Sequence, residues 1–281
     1  MNLPRRFIFR GNAAAIGGRI VRPVDCIIDS SAASSLTVAG GLSRARAGAT
    51  TFCDGVSIGG AETSAEGLFD DLQQHVALTY RRGAPESVTT STRVSSDVTK
   101  LTVGDTPQMT IDHVRASLAA RSPAGSGEPG IAVGEDTAIE GLAIGQYRLK
   151  VELAVPFFRQ HDTRSKLLAA ADDPRLANDS VLSLLMKATL GGAPSPGRLL
   201  HCFGTTYATL VKSITWDGAP YPGAEIDHNC VIVPEFGRVF LGELLITDLS
   251  RRLTMVRLEL GSPSGGDVVC VEVESNGTWS S

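Results

Sequence analysis

Three groups of residues in this 281-residue chain carry side chains able to do chemistry. Gly55-Val56-Ser57-Ile58-Gly59 matches G-x-S-x-G, the pattern of a nucleophile elbow. There a serine sits on a sharp strand-to-helix turn, and glycines keep the turn free of clashes. Ser57 is therefore the catalytic candidate for a serine- or histidine-dependent hydrolase, although the next helical pattern, at 66–79, starts too late to be the helix of the elbow. His161-Asp162 places a base beside a carboxylate, but adjacent side chains meet in poor geometry, and Asp162 also suits a helix cap. His75 and His113 lie on helix-compatible patterns and read as surface or interface residues.

The metal-ligand candidates are His201, His228 and Cys230. On a strand, His228 and Cys230 share one face, whereas the neighbours His201 and Cys202 point to opposite faces. That gives three ligands at best where structural zinc takes four, so neither a metal site nor a cofactor is assigned. A contact site is assigned instead to Trp216 and Tyr221, in Trp216-Asp217-Gly218-Ala219-Pro220-Tyr221-Pro222-Gly223. Aromatic residues make up 5% of the chain, so two within six positions of a rigid tip mark a surface that could stack on a partner or cover a sheet end.

These residues must be positioned by elements of mainly one kind. Fourteen prolines and 30 glycines cut the chain into short pieces rich in β-branched residues. Residues 5–10, 19–29, 87–103, 146–155, 208–216, 229–234 and 238–247 read as strands. Residues 108–119 fit a helix or a strand, and 30–50 have no clear assignment. At the carboxyl end Thr254, Val256, Leu258 and Leu260 alternate with charged residues. Val269, Val271 and Val273 then alternate with Cys270, Glu272 and Glu274, which predicts a hairpin with one apolar face. Asp217-Gly218 predicts a tight hairpin turn. Helical chemistry is concentrated in 162–190: a first helix capped by Asp162 or Thr163 and stopped before Pro174, and a second at 180–190 that is apolar on several sides and suits a core or a subunit interface.

Strands follow strands without regular helices between them, which argues against a βαβ sheet. The predicted fold class is mainly β with α insertions (α+β): an antiparallel β-sandwich or barrel-like sheets with a helical hairpin around 162–190. The chain reads as one domain over 1–281, and 122–134 is where a boundary between 1–121 and 135–281 would fall. Thirty acidic and 26 basic residues leave a net charge of −4, which argues against nucleic acid as a partner. No charge-free apolar run approaches the roughly 20 residues of a membrane span. Arg10 ends the apolar run begun at Phe7, so no export signal is read, and five widely spaced cysteines predict reduced thiols in a cytoplasmic protein. The chain has no phosphate-binding P-loop, HExxH or EF-hand pattern. The expected function is therefore a non-catalytic β-rich binding or self-assembling protein with a protein partner or a second copy; the alternative is the hydrolase built on Ser57.

Overall fold

The computed structural model describes residues 7–53, 55–70, 88–124, 128–171, 201–202, 205–262 and 264–279. In chain order the strands are β1 (Phe7–Arg22), β2 (Cys26–Ser31), β3 (Ser34–Ser35), β4 (Gly41–Ala47), β5 (Thr50–Cys53), β6 (Val56–Ile58) and β7 (Gly60–Phe69). Then come β8 (Thr89–Val103), β9 (Met109–Pro123), β10 (Gly130–Val133), β11 (Ala138–Glu140), β12 (Ala143–Ile144) and β13 (Tyr147–Leu153). Helices α1 (Val155–Gln160) and α2 (Arg164–Ala171) interrupt the series before β14 (His201–Cys202), β15 (Thr205–Thr209), β16 (Val211–Trp216) and β17 (Glu225–Asp227). The last four strands are β18 (Cys230–Val233), β19 (Gly237–Ile246), β20 (Ser250–Leu260) and β21 (Gly265–Trp279).

The strands form two antiparallel sheets. The first runs β14-β15-β19-β20-β21-β1-β2, and the second β16-β13-β12-β9-β8-β6-β5, with β7 and then β4 extending from β8. The fold is thus a β-sandwich-like, mostly antiparallel structure with a small helical piece, as the alternation predicts. Strands from both sides of 122–134 share each sheet. The sheets meet through one apolar cluster that includes Ala13, Ile16, Val98, Val114, Leu253 and Val273. Small residues let β1 approach the opposite sheet: a Cβ on Gly11 would lie 2.9 Å from Val94, and the Ser96 hydroxyl donates to the Ala14 carbonyl at 2.9 Å.

Alternation along the long strands inverts once. In β19 the buried side chains pass from Val239 and Leu241 to Leu244 and Ile246; in β20 they pass from Arg251 and Leu253 to Val256 and Leu258. In β21 they pass from Val268 and Cys270 to Val271 and Val273, and in β1 from Ala13 and Ala15 to Ile16 and Ile20. The residues at the inversion, Gly242, Met255, Val271 and Ala15, lie in line across four strands and are skipped by the ladders. Gly242 has φ +61° and Val271 φ +57°. One residue of each strand leaves the pleat, as in a bulge, so apolar side chains on both sides of the line reach the same core. A similar inversion crosses β8 and β9, where Lys100 has φ +53° and buried residues pass from Val98 to Leu101 and from Ile111 to Val114. The predicted outward face of Cys270 is corrected by this break, since Cys270 is fully buried and burial pushes its thiol pKa up.

Other departures have local causes. The helix predicted at 66–79 begins instead as strand: Glu66, Gly67, Leu68 and Phe69 pair with β8, because tertiary pairing overrides a short three-and-four spacing, and 71–79 lie outside the described residues. Residues 19–29 are two strands, divided at Pro23, which has no N–H for a ladder. Residues 208–216 divide at Leu210, where the chain crosses from the first sheet to the second. The Leu210 N–H donates to Gly242, and its carbonyl accepts from Ala154. Asp217-Gly218 does not close a two-residue hairpin, since β16 pairs with β13. The tight loop is His228-Asn229, between the paired residues Asp227 and Cys230.

The helical piece starts earlier than expected, with Pro156 in the first turn of α1. The Thr163 hydroxyl caps α2 by accepting from the Lys166 N–H at 3.2 Å. The helix predicted at 180–190 lies outside the described residues. Arg251 of β20 is 1% exposed and donates to the carbonyls of Phe158 at 3.4 Å and His161 at 2.6 Å. It pins the end of α1 to the first sheet by satisfying carbonyls that a helix terminus leaves open.

Candidate functional site

Pairing of β7, β8 and β9 builds one polar face from residues far apart in the chain. Antiparallel register aligns Glu62 with Asp97 and Arg115, Ser64 with Ser95 and Ser117, and Glu66 with Arg93 and Ala119. Strand β4 places Arg46 beside Glu62 and Arg44 beside Ser64, and β11 places Glu140 beside His113. Intervening residues such as Thr63, Ala65, Val94, Ser96, Val114 and Leu118 are buried. The alternation that fills the core therefore sends hydroxyls and charges outward.

Within this face His113 Nε2 lies 2.9 Å from Asp97 Oδ2, and Nδ1 lies 3.9 Å from Glu140. Arg115 pairs with Asp136 at 2.7 Å and reaches Asp97 at 3.5 Å, while its Nε is buried with no hydrogen-bond partner among the described residues. The Ser117 hydroxyl donates to Asp136 at 2.5 Å. The exposed Arg46 guanidinium, 2.9 Å from Glu62, holds that carboxyl below the usual range. A cleft of about 260 Å³ opens over the serine row, lined by Ser64, Glu66, Arg93, Ser95, Ser117 and Asp136. Among the described residues, no carboxylate lies within ion-pair distance of Arg93. The cleft thus offers hydroxyl donors and acceptors, two carboxylates and a guanidinium with unused donors to a polar partner.

The face does not form a proton relay. His113 and Ser117 point the same way on β9 but stand about 13 Å apart at strand rise, and each engages its own carboxylate. Hydrogen bonding and charge pairing are the chemistry that this arrangement supports.

The residues singled out in the sequence fall elsewhere. Ser57 is the middle residue of strand β6 and pairs with Thr51 and Thr102, so the strand-to-helix turn of an elbow is absent there. Among the described residues its hydroxyl meets neither a histidine nor a carboxylate. We expect Ser57→Ala to leave turnover of a panel of short-chain p-nitrophenyl esters at the wild-type level; a loss of tenfold or more, about 1.4 kcal/mol in the barrier, would restore Ser57 as a nucleophile.

His161 Nδ1 lies 2.9 Å from the Phe157 carbonyl, and Asp162 pairs with Lys166 at 2.6 Å, so the two do not act on each other. His228 and Cys230 do not share a strand face. His228 turns through φ +56° in the β17–β18 loop, 3.6 Å from Asp227, whereas Cys230 is buried and its thiol is pushed up to about 11. His201 belongs to β14. Among the described residues no three His, Cys, Asp or Glu side chains gather as metal ligands. Trp216 and Tyr221 are half-buried and lean on the core, Tyr221 edge-on to Tyr147 with centroids 5.3 Å apart. The prolines and glycines between and after them, Gly218, Pro220, Pro222 and Gly223, are exposed.

The cysteines depart from the expected set of reduced thiols. Cys26 and Cys53 form a disulfide, and Cys230 and Cys270 are free and buried. Sequence reading missed this pair because its members lie 27 positions apart and nothing local brings them together. It missed the polar face for a related reason. Ser91, Arg93, Ser95, Asp97 and Thr99 show the signal, a polar residue at every second position, but which strand lies alongside is not written within the segment.

Among the described residues no helix is long and apolar enough to cross a membrane. Comparison with known proteins finds that residues 7–247 match the model of a family described as a domain of unknown function, DUF8256. No curated protein and no solved structure matches the chain.

Proposed function

We propose that this chain, which belongs to the DUF8256 family, is a non-catalytic binding or self-assembling protein that makes its contacts through the outer face of the second sheet. The observation that carries this reading is the cleft over Ser64, Ser95 and Ser117, with the guanidinium of Arg93 beside it. A polar partner would satisfy these groups with charge-assisted hydrogen bonds, and displaced water would return to bulk. A second copy is the simplest such partner, because the face carries both signs of charge and can complement itself about a two-fold axis. The aromatic tip at Trp216 and Tyr221 is the other contact surface in this proposal.

Sedimentation velocity of the full chain across a range of concentrations tests the reading. We expect reversible association that weakens with added salt, since the contacts are exposed charges. Arg93→Glu should weaken association by about tenfold or more, reversing one charge in the cleft. Trp216→Ala should weaken it less and leave a single cooperative unfolding transition. A chain that stays monomeric at every concentration and binds none of an array of neutral and acidic oligosaccharides and peptides would overturn the proposal. Association that is indifferent to both substitutions would move the contact to another surface.

A further inference from the structure

The flank where both sheets end is held together covalently. Strand β2 closes the order of the first sheet, and β5 closes that of the second. The two share no ladder, so no backbone hydrogen-bond series joins these ends. Cys26 opens β2 and Cys53 ends β5, with Cα atoms 6.4 Å apart across the disulfide. Elsewhere the sheets are tied by the core and by contacts such as the Ser34–Thr63 hydroxyl pair at 2.7 Å. At this flank the bond spans a margin whose apolar groups are poorly covered. Val24 is 66% exposed and Ile27 is 69% exposed, while Phe52 packs against the core from beside Cys53. Both cysteines are half-buried, so the bond lies at the margin of the sandwich and not within its core.

We propose that the Cys26–Cys53 disulfide is a redox-sensitive clasp that locks the β2 and β5 margins together and, on reduction by a dithiol, lets this flank alone open. The exchange proceeds in two displacements. A thiolate of the dithiol attacks one sulfur, the Cys26–Cys53 bond breaks, and a mixed disulfide forms with one cysteine released. The second thiolate of the reductant then displaces the other cysteine. Two electrons pass from the dithiol to the protein pair. Cys26 and Cys53 finish as thiols carrying two protons, and the reductant finishes as its own disulfide. Two buried cysteines do not compete: burial keeps Cys230 and Cys270 as thiols rather than attacking thiolates. The inference is independent of the binding face, which lies on β7, β8 and β9.

The test compares the full chain, air-oxidised and treated with dithiothreitol under native conditions. Peptide mapping of the oxidised form should recover Cys26 and Cys53 in one cross-linked pair. After reduction, iodoacetamide should label these two and spare Cys230 and Cys270. In a hydrogen-exchange window of minutes, amides of residues 26–31 and 50–53 should exchange about tenfold faster or more after reduction. Amides of β8 and β9 should stay protected in both forms. The double variant Cys26→Ser/Cys53→Ser should show the reduced pattern and no further response to dithiothreitol. Recovery of Cys26 and Cys53 as free thiols from the oxidised sample would overturn the proposal. So would unchanged exchange at both margins after reduction. Equal loss of protection in β8 and β9 would also overturn it, because the bond would then staple the whole fold and not one flank.

Discussion

Arg251→Ala is expected to lower the unfolding free energy by about 3–5 kcal/mol, the sum of a large cavity and two abandoned carbonyls. Among the described residues Arg251 is the largest of the fully buried side chains. Its guanidinium answers the Phe158 and His161 carbonyls at the end of α1. Alanine removes the donors, leaves those carbonyls facing a void, and releases the helical piece from the first sheet. The charge itself works against folding. Burial pulls the Arg251 pKa down to about 10, below the usual guanidinium range, opposed by the fields of Asp162 and Glu128. The folded state therefore holds this proton less tightly than the unfolded one. The charge opposes folding below about pH 10, and the opposition is relieved as the pH rises above about 10.

Two variants separate packing from charge. Arg251→Met fills much of the volume without burying a cation, so its loss should be about half that of alanine or less. Chemical denaturation of the three proteins at neutral pH decides the matter. Alanine and wild type unfolding at the same denaturant concentration would show that Arg251 does not pin α1. Methionine as damaging as alanine would show that the donors, and not the filled volume, carry the effect.

Loss of the cross-link is the second large effect. Replacing Cys26 and Cys53 together by serine frees the unfolded chain from a loop closed across 27 residues. The chain-entropy relation then gives a loss of about 3.5 kcal/mol. For a chain of this size that corresponds to a fall of roughly 6 °C in the melting midpoint. The comparison is made without reductant. Adding dithiothreitol should bring wild type down to the variant and leave the variant where it is. Coincident melting curves for oxidised wild type and the double variant would show that the pair contributes nothing to stability. This measurement reads the unfolded state, whereas exchange at the β2 and β5 margins reads the native one.

Much of the architecture was legible because alternation is a local property. Leu149 with Arg148 and Lys150, or Val256 and Leu258 with Arg257, could face a common core only as strands. The absence of helices alternating regularly with the strands left an antiparallel arrangement. The Thr163 cap was readable for the same reason, since its partner is three residues away. Where alternation inverts, the local rule fails. Val271 at φ +57° and the skipped residues Met255, Ala15 and Gly242 are each unremarkable in sequence, and only their alignment across four strands shows the break.

The amino-acid order by itself determined the fold class, the position of the first capped helix and the polar outward positions of each strand, because all three follow from neighbours a few residues apart. The tertiary structure alone decided which strands lie side by side. That choice placed Ser64, Ser95 and Ser117 in one row, brought Cys26 to Cys53, set Arg251 under α1, and left Ser57 apart from the histidines. Strand pairing is settled by burial summed over two whole sheets, a non-local free energy that no single segment encodes.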